Sequence, residues 1–490
     1  MQYISTRGFD AAFTAAQAIQ QGLAPDGGLF LPDQLPFFTM EEIRFLSDLS
    51  YAERAAFVLS RFLTDYSYDE LLSYTRQAYA SFDAPLKVLT NTVSVLELYH
   101  GPTCAFKDFA LQLLPYLLTG ALKKTGEERT IVILTATSGD TGKAALEGFA
   151  DVPGTRIAVF FPQGGTSAIQ RMQMTTQAGE NVVVFAVEGN FDDAQTGVKR
   201  LFSDPALREE LAQKGFLFSS ANSINWGRLA PQIAYYFSAY CDLASSGRIA
   251  FGDAVNIDVP TGNFGNILAA YLASCCGLPV HRFLCASNSN QVLTDLIRTG
   301  TYDAARPFYT TASPSMDILI SSNLERLLYL LSDRDPSIVR GYMDSLAETG
   351  KYTLESGAFS ALSERFYGGC ADDAMTFETI RKVYEDSGYL LDTHTAVGWN
   401  VYEQYASETG DTTPTILAAT ADPFKFPASV LKALGAAVPE DDFAQLHALE
   451  TCTGRKAPAA LASLEEKEER FQSSVAPAAM KAAITHWLTE

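Results

Sequence analysis

Hydrophobic positions along the chain fall into two regimes. Up to about residue 95 they recur at helical spacing, around 10–21, 39–63 and 68–81. The stretch APDGGLFLPDQLP interrupts them, and its glycines and prolines predict a loop. From residue 130 the pattern changes to short, nearly unbroken apolar runs: TIVILTAT (130–137), RIAVFFP (156–162), NVVVFAVEG (181–189), AVNIDVP (254–260), HRFLCAS (281–287) and PTILAAT (414–420). Several alternate with helical stretches such as GKAALEGFA, DDAQTGVKRLF and LAPQIAYYFSAY. Strands of that kind are covered on both faces, so the pattern predicts an α/β protein with open, mostly parallel twisted sheets and a mainly helical N-terminal region.

Residues 316–410 return to helical patterning, and the Ala- and Glu-rich tail from about 438 is predicted helical, with an exposed, mobile stretch at LEEKEER. A seam is expected near 242–255, where LASSGRIAFGD precedes a new strand. The organisation expected is therefore a helical region over 1–95, a first α/β domain over 96–250 and a second over 251–490.

Charge and composition narrow the function. The net charge of −21 argues against nucleic acid, which needs clustered Lys and Arg, but not against a small anion held in one pocket. Seven scattered cysteines without a C-x-x-C pair read as reduced thiols. Five histidines, far apart, give no metal-ligand spacing, so no metal is expected. The N-terminus MQYISTRGFD lacks a leader pattern and no apolar run approaches spanning length, so a cytoplasmic protein with no membrane partner is expected.

Three strand-to-helix stretches place chemistry beyond the carboxyl ends of parallel strands, where such sheets bind ligands. In NIDVPTGNFGNILAAYLA, Gly262, Asn263, Phe264, Gly265 and Asn266 form a turn into a helix. Glycines there permit close backbone approach, and the helix start offers free N–H groups, so the turn can hold phosphate without a basic residue. A tight connection with no ligand accounts for the same residues equally well. In TATSGDTGKAA, the P-loop pattern fails at Thr137 and at Ala144, which excludes that ATPase motif. In PTILAATADPFKFP a strand ends at Thr420. Lys425 there is read as a solvated charge rather than a partner of Thr420.

Upstream, YHGPTCAFKDFALQ sets Lys107 among small, aromatic and apolar residues. Such a lysine either snorkels to water or is a neutral amine able to act as nucleophile. A shielded amine, a phosphate-holding turn and a hydroxyl at a strand end are together the fittings for pyridoxal 5'-phosphate.

In this order, HGPTCAFKDFALQ, TATSGDTGKAA, ANSINWGRLAPQIAYYF, VPTGNFGN and ATADPFKFP resemble the threonine synthases, pyridoxal-phosphate enzymes of fold type II, the tryptophan synthase β kind. QGLAPDGGLFLPDQLP is similar to the opening of the longer microbial and fungal members. The resemblance, from about 20 to about 435, implies a cleft between two α/β domains whose chain crosses between them more than once. It implies Lys107 as Schiff-base lysine, with Gly262, Asn263, Phe264, Gly265 and Asn266 on the cofactor phosphate and Thr420 at the ring nitrogen. Asp140 would neighbour the ring hydroxyl, and Ser138, Gly139 and Thr141 would receive the substrate carboxylate. The substrate phosphate would fall to Ser167, Asn222, Ser223, Asn225 and Arg228, with Arg171 as a weaker candidate. His100 and His394 are left outside the catalytic set.

The implied reaction converts O-phospho-L-homoserine and water to L-threonine and phosphate, making the protein a carbon–oxygen lyase acting on a phosphate in threonine biosynthesis. A phospholyase giving 2-oxobutyrate, or another fold type II lyase or dehydratase, is the alternative. A monomer or weak homodimer is expected, with a small-molecule substrate as its partner.

Overall fold

The computed structural model describes residues 1–137, 139–164 and 166–489 of the 490-residue chain. Its first part is helical, and the sequence writes the helix starts. Ala15–Gln21, Met40–Leu46, Tyr51–Phe62 and Tyr68–Ala78 each begin with a reciprocal capping box: Thr14 with Gln17, Thr39 with Glu42, Ser50 with Glu53, Ser67 with Glu70. The stretch expected as loop holds a short strand, Phe30–Pro32, paired antiparallel with Tyr3–Ser5. Its Phe30 and Leu31 are fully buried, and that burial gives the segment its place despite the flanking glycines and prolines.

Two sheets follow, and the α/β expectation holds. One has five parallel strands in the order Ser474–Val475, Val182–Val187, Thr155–Pro162, Thr130–Ala136, Phe216–Ser219. The other has six, in the order Phe366–Cys370, Val280–Ser287, Val255–Pro260, Thr415–Ala419, Val93–Glu97, Leu86–Val88, parallel except at its last pair. Strand Val93–Glu97 straddles the expected end, near 95, of the mainly helical region and is not among the strands the pattern predicts. Its run VSVLE is too short for periodicity to separate strand from helix, and its pairing with residues 415–419 decides the matter.

The helix Trp226–Ser245 is buried almost throughout and packs against Tyr51–Phe62 and Gly265–Cys275. Each large apolar side chain it hides stabilises the fold by about 1.5–3 kcal/mol. The tail is tied down rather than loose. Arg171 pairs with Glu469 at 2.6 Å, and Arg470 donates to the carbonyls of Gln177 and Gly179 at 2.7 and 3.1 Å. The charged run 465–468 is exposed, as expected of it. Among the described residues, no helix is long and apolar enough to cross a membrane.

This topology sets up one location. The carboxyl ends of the adjacent parallel strands Val93–Glu97, Thr415–Ala419 and Val255–Pro260 lead to Lys107, Thr420 and the GNFGN turn. The ends of Thr130–Ala136 and Thr155–Pro162, in the other sheet, lead to Asp140 and Ser167.

Candidate active site

Lys107 immediately precedes the short helix Asp108–Leu111. The turn before it is built by Asp108, whose carboxylate accepts from the Thr103 N–H at 2.8 Å and the Thr103 hydroxyl at 2.7 Å. A side chain at Gly101 would collide with that carboxylate, 2.4 Å from Oδ2. Phe106 N–H donates to the Thr420 carbonyl at 2.9 Å, stitching the lysine loop to the strand end beside it. Lys107 Nζ lies 3.6 Å from Asp140 Oδ2 and 4.7 Å from the centre of the Phe106 ring. Burial pulls its ammonium below the ordinary lysine range; Asp140 opposes this, and Lys425 and Arg228 add to it. The Lys107 side chain is 12% exposed.

Asp140 opens the helix Asp140–Phe149 and is buried. Gln170 Nε2 donates to its Oδ1 at 3.0 Å and Ser315 Oγ to its Oδ2 at 3.3 Å. Burial alone would raise its pKa, but Lys425 and then Lys107 hold it well below the usual carboxylate range. Gly139 has φ +155°, and a Cβ there would strike the Gln170 amide at 2.6 Å. Thr141 lies in the first turn of the same helix. Ser138 lies outside the described residues.

The GNFGN turn is held from behind. Asn323 donates from its backbone N–H and from Nδ2 to the Asn263 carbonyl, both at 3.1 Å, and Ser321 Oγ donates to the Gly262 carbonyl at 2.7 Å. Gly262 is packed so tightly that a Cβ would meet the Ser315 carbonyl at 2.5 Å. Phe264 adopts φ +62° and starts the helix Gly265–Cys275 with no side-chain cap, leaving first-turn N–H groups open. At Gly265 the nearest atom to an added Cβ is 3.5 Å away. Asn266 Oδ1 accepts from the hydroxyls of Tyr235, at 2.8 Å, and Tyr236, while its buried Nδ2 has no partner among the described residues.

The residues expected to grip a second phosphate divide. Arg228 is buried, donates to the Ala221 carbonyl at 2.6 Å, and keeps a buried Nε without a partner among the described residues. Burial pulls its guanidinium down to about 10, and no described carboxylate pairs with it. Asn225, by contrast, spends its side chain on structure. Its Oδ1 accepts from Gly227 N–H at 2.8 Å, and its Nδ2 donates to the carbonyls of Ile19 and Ser220, both at 3.0 Å. Ser167 is an exposed cap on the helix Ala168–Thr175, accepting from Gln170 N–H at 3.2 Å. Arg171 is taken by Glu469. Asn222 and Ser223 lie partly buried in the turn before Trp226, and the Ser223 carbonyl accepts from Asn323 Nδ2 at 3.2 Å.

Four contributors escaped the sequence reading. Ser315, Asn323 and Arg326 come from a stretch whose helical patterning carried no chemical signal. Arg326 donates to the carbonyls of Phe30 and Ile224 at 2.8 and 2.6 Å and to Asn323 Oδ1 at 2.5 Å. The fourth is Lys425, which is not solvated. Its buried Nζ lies 2.9 Å from Asp140 Oδ1 and donates to the Thr103 carbonyl at 2.8 Å. A lysine among apolar residues was the available signal, the same one that singled out Lys107.

Three family models cover nearly the whole chain: threonine synthase N terminus over residues 2–79, pyridoxal-phosphate dependent enzyme over 89–420, and threonine synthase C-terminal over 395–484. The chain is 41% identical over 475 residues to threonine synthase of Pseudomonas aeruginosa, covering 96% of this chain and 95% of that one. The chain belongs to the threonine synthase family. A crystal structure of pyridoxal-phosphate-bound threonine synthase from Brucella melitensis superposes with a TM-score of 0.89 at 38% identity, covering 99% of both chains. The human protein threonine synthase-like 1 is 40% identical over 434 residues, which is 86% of this chain and 58% of that protein.

Threonine synthases of this family depend on pyridoxal phosphate, and the residues here fit it. The space at Gly265, the uncapped helix start and the unpartnered Asn266 Nδ2 together suit an anionic group that needs no basic side chain. Lys107 offers an amine that is 12% exposed and lowered in pKa by its surroundings, and the buried Thr420 stands at the strand end beside the lysine loop.

Proposed function

We propose that the protein is a threonine synthase acting on O-phospho-L-homoserine, releasing phosphate and forming L-threonine with water. The observation that carries this reading is the largely shielded Lys107 amine, 3.6 Å from the Asp140 carboxylate and lowered in pKa by burial and by the nearby cations Lys425 and Arg228. Bound pyridoxal phosphate would supply an aldehyde for amines and a conjugated ring that draws electrons from Cα.

The chain's own residues do the rest. Lys107 Nζ would hold the cofactor and, as a free amine, is the nearby base for the Cα proton and then a Cβ proton. The GNFGN turn would hold the cofactor phosphate through its backbone N–H groups, and the Thr420 hydroxyl would be the partner for the ring nitrogen. Asp140 would stand on the ring hydroxyl side, while Gly139 and Thr141 would receive the substrate carboxylate. Arg228 clamps the leaving phosphate with its forked donors, and Ser167, Asn222 and Ser223 flank it. Asn225 serves by shaping the turn that presents Arg228, since its own polar atoms are committed.

The purified holoprotein, incubated with O-phospho-L-homoserine, is expected to give threonine and phosphate in equal amounts. 2-Oxobutyrate as the main organic product would overturn the assignment in favour of a phospholyase.

A further inference from the structure

Two ammonium groups converge on one buried carboxylate, and they do so unequally. Lys425 Nζ is 2.9 Å from Asp140 Oδ1, whereas Lys107 Nζ is 3.6 Å from Oδ2, beyond hydrogen-bond length. Lys425 is also anchored from the other side by the Thr103 carbonyl at 2.8 Å, and its side chain is 0% exposed. Thr103 is itself locked by Asp108, so the second lysine has little freedom to withdraw.

We propose that Lys425 is a positioning residue for Lys107: by claiming the Asp140 carboxylate, it keeps Asp140 a fixed anion and leaves Lys107 the free amine of the pair. The inference rests on the reading of Lys107 as the cofactor-bearing amine and deepens it. The charges facing Lys107 are Asp140, Lys425 and Arg228. Those facing Lys425 are Asp140, Cys104 and Asp108. Cys104 is pushed up to about 12 by burial and stays a neutral thiol, and Asp108, pushed up to about 6 by burial, is an anion above that pH. With Lys425 and Arg228 both charged in so dry a place, a third cation is the costly one. The ammonium held least closely, that of Lys107, is the one that gives up its proton. Burial works against the charge on Lys425 as well, but Asp140 outweighs it and moves that group upward.

Competitive acetic anhydride labelling of the cofactor-free full chain across pH 6 to 11, read at Lys107 by mass spectrometry, measures the protonation of this one amine without any turnover. Lys425→Met is expected to move the Lys107 midpoint upward by about one pH unit, a roughly tenfold drop in labelling on the low-pH side, because Asp140 then pairs with Lys107. In an Asp140→Asn background the same substitution is expected to raise the midpoint by clearly less, because only the direct repulsion by Lys425 is then removed. Lys425→Arg, which preserves the charge, is expected to leave it near the parent value. Should Lys425→Met fail to fold, Lys425→Gln keeps a donor for the Thr103 carbonyl and carries the same expectation. An unchanged or lowered midpoint in the neutral variants overturns the proposal. Borohydride trapping of the parent holoprotein separates the two readings: a pyridoxyl group on Lys425 instead of Lys107 would overturn the assignment of Lys107 itself.

Discussion

His394 Nε2 accepts a hydrogen bond from the backbone N–H of Ser315 at 3.1 Å. Because an N–H must donate, Nε2 is the bare nitrogen of the ring, and Nδ1 carries its proton toward Asp392 Oδ1, 2.8 Å away. The pair fixes a loop whose Ser315 hydroxyl touches Asp140 and whose Ser315 carbonyl packs on Gly262. A buried histidine read as structural thus bears on both halves of the cofactor cradle without touching the chemistry.

Replacing it should loosen that loop. His394→Leu removes the acceptor for the Ser315 N–H at a cost of about 1–3 kcal/mol. The expected result is a lower thermal midpoint and weaker cofactor retention, with His394→Gln recovering part of both. Pyridoxal phosphate titration followed by fluorescence, with unaltered affinity in His394→Leu, would contradict the link.

Asn323 is the second such clamp, since it serves Asn263, Ser223 and Arg326 at once. Asn323→Ala strips one acceptor from the fully buried Arg326 guanidinium, which burial already pulls down to about 9, and frees the GNFGN turn. A loss of roughly 2–3 kcal/mol in stability is expected. Cofactor affinity should fall in parallel, as checked by thermal unfolding and by dialysis against cofactor-free buffer.

Two glycines of one turn should answer differently to the same added methyl. At Gly262 the new Cβ meets backbone at 2.5 Å, so Gly262→Ala should destabilise the protein even without cofactor. At Gly265 the nearest atom is 3.5 Å away, an ordinary contact, so the cofactor-free Gly265→Ala protein should melt like the parent. Its affinity for pyridoxal phosphate should nonetheless fall by at least about tenfold, roughly 1.4 kcal/mol. Equal melting points for the two variants would refute the packing argument.

The Asp422 carboxyl is pushed up to about 6 by burial, against the Phe424 N–H and Arg455, which favour its charged form. An unfolded chain keeps it near 4. With the folded value raised, its stabilising contribution is full below about pH 4 and is lost as pH rises through about 6. Asp422→Asn retains an acceptor for the Phe424 N–H, at 2.8 Å in the parent, and cannot ionise. Its thermal midpoint should therefore gain on the parent between pH 4.5 and 7.5, by up to roughly 3 kcal/mol in stability. A gap that stays constant over that range would sink the explanation.

The strands were legible because parallel strands buried on both faces must be written as apolar runs, and 130–136, 155–162 and 255–260 stand within a residue of their expected places. Asp140 and the GNFGN turn drew attention because each follows such a strand, and Lys107 because a lysine stands among apolar residues. Lys425 was misread although its surroundings match those of Lys107, because its partner Asp140 lies 285 positions away and only folding joins them. Asn323 and Arg326 act mainly on backbone carbonyls of distant loops, and Ser315 on the Asp140 carboxylate from a loop 175 positions away, roles that leave no mark on residue type. Asn225 shows the opposite error: it lies inside a motif, yet its polar atoms serve the backbone of that motif.

The strand Thr415–Ala419 sits between Val93–Glu97 and Val255–Pro260. On a ribosome, therefore, the early strand that leads to Lys107 waits without its central neighbour until residues 415–419, more than three hundred positions later, have been made. Nascent chains halted before that point would expose two raw apolar edges at once, which makes late synthesis the interval in which this protein most needs a chaperone.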